Sequence, residues 1–253
     1  MDTIVAIATP VGQSAIGIIK LSGPAAIEIT QKIYKTRRGN KNLASTPTHT
    51  IHYGHIINPL SKKKIDEVLV SVMRKPYSYT REDVVEINCH GGRWCLYKVL
   101  ELVLQAGARI AEPGEFTKRA FMNGRIDLTQ AEAVIDVINV QSEQGLSLLL
   151  NTLEGNTFQP LNALHKEINK WQTLIETELN FSEELALGFS VKELVDDINR
   201  WVKTINTYID NYKRSSVLIN GLQMAIVGKT NVGKSSIMNR LLKKKRSIVT
   251  NIP

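Results

Sequence analysis

Apolar side chains fall at every second position in Val68, Val70 and Val72, and again in Val85, Ile87 and Cys89. That period puts one face of a strand into a core and leaves the other to polar groups or a covering helix. Runs of this kind, separated by turn residues, recur through the first 110 residues and predict strands over 3–8, 15–21, 48–57, 67–73 and 83–89. Ser22-Gly23-Pro24 marks a helix start and predicts a helix over 25–34. A second helix, over 94–106, ends at Gly107, a residue suited to the left-handed turn that closes a helix. Strands interleaved with short helices make this part a mixed α/β domain.

After Glu112-Pro113-Gly114-Glu115 the period becomes helical and stays so to about residue 217. Thr129 with Glu132 reads as a capping box ahead of a helix over 131–153. Leu161, Leu164, Ile168, Trp171 and Ile175 follow at spacings of three and four. Val191, Leu194, Ile198, Trp201 or Val202, Ile205 and Ile209 do the same, with 180–190 as the loop between the two stripes. The stripes predict a helical bundle whose core they form. The expected organisation is an α/β domain over 1–118, a helical bundle domain over 119–217, and the start of a third domain over 218–253.

With 43% hydrophobic and 22% charged residues, the chain has material for a sizeable core, which excludes a fully disordered protein. No apolar run approaches the ~18 residues of a membrane span, and the first thirty residues lack the pattern of a signal peptide, so no membrane and a cytoplasmic location are expected. The net charge of +8 is local. Residues 211–253 hold nine Lys or Arg and no acid, while the first 210 residues carry 23 basic and 24 acidic side chains. Such a stretch can meet phosphates, or it can be one end of a longer domain whose acidic residues lie further on; the second reading weighs more. Cys89 and Cys95 cannot make a disulfide framework, and six residues apart with a single nearby His they fit no zinc spacing; both are expected as small packed apolar residues.

The chemistry with the clearest signature lies near the end. An apolar strand predicted over 223–227 runs into Gly228-Lys229-Thr230-Asn231-Val232-Gly233-Lys234-Ser235, followed by a helix predicted over 236–243. This is the G-x-x-x-x-G-K-[ST] pattern in the strand, loop and helix setting of a phosphate-binding loop. Its glycines let backbone N–H groups turn inward round a phosphate, and the helix start adds its positive dipole end. Lys234 would reach the β and γ phosphates, and the Ser235 hydroxyl would ligate Mg²⁺. The loop alone names no base and supplies no hydrolysis: only 18 residues follow Ser235, and none is the Asp that a later strand contributes for Mg²⁺. The chain is therefore expected to be the front part of a longer protein, or a truncated product, holding the first strand, phosphate loop and helix of a nucleotide-binding domain.

Several longer motifs carry a resemblance. They are Asp2-Thr3-Ile4-Val5-Ala6 with Ala8-Thr9-Pro10, Ile16-Gly17-Ile18 before Leu21-Ser22-Gly23, and Arg81-Glu82-Asp83 leading to Cys89-His90-Gly91-Gly92. The run from Glu112 to Phe121 and that from Asn123 to Ala133 complete the set. Together, in this order and over the whole chain, they resemble the tRNA uridine-5-carboxymethylaminomethyl modification GTPases, the MnmE or TrmE family. The resemblance implies an α/β N-terminal domain that dimerises and binds 5-formyltetrahydrofolate as one-carbon donor, a helical domain, and a Ras-like α/β G domain that hydrolyses GTP. It implies a homodimer that joins a flavin-containing partner protein and adds a carboxymethylaminomethyl group at C5 of the wobble uridine of certain tRNAs.

By the same resemblance, folate contacts fall on Lys20, Glu86 and Arg125. A carboxylate can accept from pterin ring donors, and cations suit the glutamyl tail; Lys20 stands where Arg is common, and so lacks the bidentate fork. GTP contacts fall on Asn231, Val232, Gly233, Lys234, Ser235 and Ser236, with Lys234 and Asn231 serving catalysis. A potassium ion would be held by Asn231, Thr250 and Ile252, placing positive charge beside the γ-phosphate as an arginine finger does. The alternative is a folate-binding dimerisation module without turnover. A stand-alone folate-dependent transferase is disfavoured by the phosphate loop, and a ribosome-assembly GTPase by the stretch from Glu112 to Arg125.

Overall fold

The alternating valines form the middle of a seven-stranded sheet. The computed structural model describes residues 2–36, 42–156, 158–181, 190–221, 224–229 and 232–242. The strands are β1 (Ile4–Ile7), β2 (Ile16–Ser22), β3 (Tyr34–Thr36), β4 (Thr50–Ile57), β5 (Lys64–Met73), β6 (Val84–His90) and β7 (Arg109–Ile110). Their order is β3-β4-β5-β6-β2-β1-β7. Every pairing is antiparallel except β1 with β7. Helices α1 (Ala26–Ile33) and α2 (Arg93–Gln105) supply Ile29, Ile33, Leu96, Val99 and Val103 to a core shared with Ile19, Leu21, Val70, Val72, Val85 and Ile87. Each such side chain contributes on the order of 1.5–3 kcal/mol by leaving water.

The five expected strands and two expected helices are present with shifts at their ends. Two short strands escaped the hydrophobic pattern. Tyr34 leaves the helix expected over 25–34 because its backbone pairs with Ile56 and its hydroxyl donates to the Tyr53 carbonyl, a ladder that replaces the last helical turn. β7 is two residues long and follows Gly107, which takes φ +119 after α2. Gly17 is a close-approach position: a Cβ there would lie 2.5 Å from Leu96 Cδ2, so the bare backbone of β2 is what lets α2 settle on the sheet.

A buried charge cluster anchors the next helix, α3 (Glu115–Met122). Arg119 donates to Glu115, to both oxygens of Glu82 at 3.2 Å, and to the carboxylate and carbonyl of Asp2. Arg109, from β7, pairs with the same Glu115 at 2.6 Å and with Asp2. Ser22 Oγ donates to Glu82 at 2.7 Å, and the Glu112 N–H donates to Glu115. The Arg109 guanidinium holds the Glu115 carboxyl down at about 2, and Arg109 with Arg119 does the same for Asp2.

Beyond α3 the chain is helical: α4 (Leu128–Asn139), α5 (Glu143–Leu153), α6 (Phe158–Phe181), α7 (Val191–Asn220) and α8 (Lys234–Leu242). Two compact units result, one from the residues up to Ile135 with Asn151–Asn162, the other from Asp136–Leu150 and the described residues from Ala163 onward. The capping pair before α4 is Asp127 with Gln130 rather than Thr129 with Glu132. Asp127 Oδ1 accepts from the Gln130 N–H, and the Gln130 side chain accepts from the Asp127 N–H. The helix expected over 131–153 is broken between α4 and α5. α7 starts at a capping box of Ser190 and Glu193; of the loop expected before it, 182–189 lie outside the described residues.

In the second unit, α6 and α7 hold each other through reciprocal indole bonds. Trp171 Nε1 donates to Asp197, and Trp201 Nε1 donates to Glu167. Trp201 is buried, but Ile168, Val191, Ile198, Val202, Ile205 and Ile209 remain 39% or more exposed. The stripes are therefore not a closed core here, because two helices bury only the strip between them.

Arg119→Met would strand Glu82 without a cation in a dry site and leave Glu115 to Arg109 alone, and should lower the unfolding free energy of the first unit by about 3–5 kcal/mol. A shift in urea midpoint at neutral pH measures it; a midpoint equal to the parent's would show that the cluster carries no stability. The Glu115 carboxyl titrates at about 2 in the fold against its ordinary 4.5. The stability this gives is complete above pH 4.5 and declines as pH falls towards 2; Arg109, the main cause, stays in the variant, so only the share that Arg119 supplies should vanish from the deficit over that window.

Candidate functional site

Lys20 and Glu86 lie opposite each other in the β2–β6 ladder, on the sheet face turned away from α1 and α2. Their Nζ–Oε1 separation is 3.2 Å, and both side chains are largely covered. The Lys20 ammonium lies over the Tyr79 ring at 5.1 Å and near the Phe116 ring at 5.8 Å. The Arg125 guanidinium sits 4.8 Å from the centre of the same Tyr79 ring. Two strands, the connection before β6, α3 and the turn after its end thus bring Lys20, Glu86 and Arg125 round one aromatic side chain.

Local bonds explain the arrangement. Tyr79 Oη and Thr117 Oγ1 are 3.0 Å apart, tying the connection between β5 and β6 to α3. Asn123 Nδ2 donates to the Thr80 carbonyl, and Arg81 donates to the Asn123 carbonyl. Gly124 takes φ +68, which turns the chain so that the Arg125 N–H caps the Ala120 carbonyl. The cluster offers a carboxylate, two cations and aromatic faces: donors and acceptors for a flat heteroaromatic ring with an anionic tail. Tyr79, Phe116 and Thr117 were not singled out from the sequence, although Phe116 and Thr117 lie within the Glu112 to Phe121 run. Their grouping exists only in the folded chain, where Tyr79 and Phe116 meet Lys20 and Thr117 meets Tyr79.

The phosphate-loop residues belong to the second unit. Met224 to Val227 carry no strand among the described residues, since a strand exists by pairing and none of these backbones has a ladder partner. Gly233 takes φ +94, and its carbonyl accepts from the Ile237 N–H, so α8 opens at Lys234 rather than at residue 236. Lys234 Nζ folds back to donate to the Gly228 carbonyl at 2.9 Å and to that of Lys229. Ser235 and Ser236 stand in the first turn of the helix, and Val232 is exposed. Asn231, Thr250 and Ile252 lie outside the described residues.

Cys89 is buried as expected, and desolvation pushes its thiol up to about 11. Cys95 is not simply a packed apolar group: its Sγ donates to Asp66 Oδ2 at 3.0 Å. Burial works to raise the Asp66 carboxyl, but hydrogen bonds from Cys95 and from the backbone and ring of His90 outweigh it and leave the group below its ordinary value. No helix among the described residues is long and apolar enough to cross a membrane.

Residues 3–125 match the family described as GTP-binding protein TrmE N-terminus, and residues 128–251 match the MnmE helical domain. Among curated proteins, the chain is 48% identical over 252 residues to a protein of Carboxydothermus hydrogenoformans, covering 100% of this chain and 54% of the relative. It is 47% identical to one of Enterococcus faecalis, covering 99% and 54%, and 46% identical to one of Bacillus subtilis, covering 100% and 55%. Each of the three is named tRNA modification GTPase MnmE. The chain spans about half the length of the curated relatives it matches. Two successive domains of one family cover almost every residue, and with whole-chain identities near one half the chain belongs to the MnmE, or TrmE, family.

Proposed function

We propose that this chain is the folate-binding, dimer-forming and phosphate-binding part of a cytoplasmic GTPase that modifies tRNA at C5 of the wobble uridine, working with a flavin-containing partner protein. The observation that carries the reading is the loop before α8. A lysine is held at a helix N-terminus by loop carbonyls, within the G-x-x-x-x-G-K-[ST] pattern and in a chain whose relatives are named as GTPases. An arriving polyphosphate offers the Lys234 ammonium a stronger acceptor than those carbonyls. Lys234 then moves to the β and γ phosphates while Gly233, Val232 and Ser236 present backbone N–H groups. Ser235 is placed to hold Mg²⁺, which would neutralise phosphate charge. Asn231, Thr250 and Ile252 are the residues proposed for K⁺, whose charge would steady the γ-phosphate.

At the first unit, the proposed ligand is 5-formyltetrahydrofolate. Glu86 accepts from the pterin donors, Tyr79 and Phe116 flank the ring, and Lys20 and Arg125 serve its carboxylates. Binding exchanges the Lys20–Glu86 pair for ligand contacts, so both partners are oriented before the ligand arrives. A homodimer is supported by the sheet face away from α1 and α2, where Ile16, Ile51 and Leu69 are 45% or more exposed.

Lys234→Ala in the full-length gene product should weaken binding of a fluorescent guanine nucleotide by about tenfold or more, the size of a lost charge-assisted bond, with folate affinity unchanged. Nucleotide binding at parental strength would refute the phosphate-loop assignment. Glu86→Gln removes the anionic acceptor but keeps the shape. It should weaken 5-formyltetrahydrofolate by about tenfold in calorimetry, with nucleotide affinity unaltered; an equal folate affinity would remove Glu86 from the site.

A further inference from the structure

Three elements place a second set of ligating side chains at the opposite end of the β5–β6 pair from Met73 and Val84. Asp66 comes from β5, Cys89 and His90 close β6, and Cys95 lies in the first turn of α2. The chain makes this approach through Gly91, where a Cβ would fall 2.1 Å from Ser14 Oγ, so only a bare backbone turns from strand to helix in so small a space. Sequence spacing argued against zinc because it counted Cys89, Cys95 and His90 alone. The fold adds a carboxylate from a strand more than twenty residues away in the chain.

The donor atoms of Asp66, Cys89 and Cys95 all lie within 4.8 Å of one another. Cys95 Sγ is 3.0 Å from Asp66 Oδ2, and His90 grips the same carboxylate twice, through its backbone N–H to Oδ2 at 2.8 Å and its ring Nδ1 to Oδ1 at 2.6 Å. Cys89 Sγ lies 3.5 Å from the Gly17 carbonyl, its other polar neighbour. The Asp66 side chain is 10% exposed, while His90 above it is 71% exposed, so an ion enters from solvent past the imidazole.

We propose that Asp66, Cys89 and Cys95 form a binding site for a zinc-class divalent ion, with His90 as the positioning residue for the Asp66 carboxylate. The donor chemistry selects the ion. Ca²⁺ and Mg²⁺ require oxygen ligands throughout, and iron–sulfur clusters require four thiolates, whereas two thiolates with one carboxylate suit Zn²⁺. Tetrahedral coordination with Zn–S near 2.3 Å sets bound sulfurs ~3.8 Å apart; with all three donors within 4.8 Å of one another no separation need shorten by more than about 1 Å, and the Cys95–Asp66 pair at 3.0 Å opens slightly. Binding releases the two thiol protons, and with them the Cys95–Asp66 bond, which frees Asp66 Oδ2 for the metal. Water completes the fourth position. The carboxylate gripped by an imidazole repeats the outer-layer support usual at metal ligands, with the order of the two groups reversed.

The 253-residue chain holds two cysteines, so thiol chemistry reports on this site without interference. The reduced, chelator-stripped chain is titrated with Co²⁺ as the spectroscopic probe. The expected result is thiolate-to-cobalt charge transfer with strong visible bands of a tetrahedral ion, saturating at one equivalent and reversed by Zn²⁺. Both thiols should become protected from a thiol reagent. Cys95→Ser and Cys89→Ala should each abolish saturation at one equivalent, and His90→Ala should weaken Co²⁺ affinity by about 10–100-fold. Thiol protection in the unmutated chain keeps the test valid if a variant does not fold. Weak octahedral bands without charge transfer, or thiols equally reactive with and without metal, would overturn the proposal. So would oxidation to a Cys89–Cys95 disulfide in a chain that binds no Co²⁺ when reduced.

Discussion

The site of the first unit depends on one guanidinium. Arg119 is the cation that reaches Asp2, Glu82 and Glu115 together, and it does so because a planar fork carries five donors where an ammonium carries three on a single centre. Arg119 and Glu115 are four residues apart on α3, so their shared face fixes the rotation of the helix about its axis. With that face committed to the charges, Phe116 and Thr117 fall towards Lys20 and Tyr79. The turn after the helix then delivers Arg125 to the same ring. A helix seated on apolar contacts alone could turn by a fraction of a residue at little cost; one seated on directed bonds to three carboxylates cannot.

The arrangement is not tuned for stability alone. Asp2, Glu82 and Glu115 bring three negative charges against the two of Arg109 and Arg119. Arg119, Glu82 and Glu115 are the buried members, and taking such ions out of water is costly before attraction repays it, while Asp2 and Arg109 stay half exposed. The Ser22 hydroxyl and the Glu112 N–H supply the remaining donors, which ties the end of β2 and the turn before α3 into the same assembly. The cluster therefore joins the N-terminus, β2, the residues before β6, β7 and α3 through bonds that have one geometry each, and that is the property a site built from so many separate segments requires.

What could be read from the sequence follows how local each feature is. The valines of β5 and β6 announce their strands because a period of two needs only a few consecutive residues. β7 could not be found that way: two residues have no period, and they form a strand only because β1 offers a parallel edge. Tyr34 shows the same limit, since a helical pattern lost to pairing with β4 and to a hydrogen bond that Tyr34 donates to the carbonyl of a residue nineteen positions on. Before α4, Asp127 with Gln130 and Thr129 with Glu132 offer caps of the same spacing, and the fold uses the first, two residues earlier than the pattern suggests.

The two candidate ligand sites divide along the same line. The loop before α8 is legible because all its chemistry lies in consecutive residues, where spacing alone brings Lys234 and Ser235 to the helix start. The cluster round Tyr79 has no such spacing. Lys20 and Glu86 are neighbours only through the antiparallel register of β2 and β6, and a slip of one residue would turn both to the other face of the sheet. Resemblance named those two and Arg125 without a physical reason for their proximity, and left Tyr79 out. The register supplies the reason for Lys20 and Glu86, and the ring contacts of the two cations supply Tyr79. It puts a carboxylate and a cation side by side on a face that α3 closes with an aromatic ring, which is why the site is a consequence of the sheet and not of any one motif.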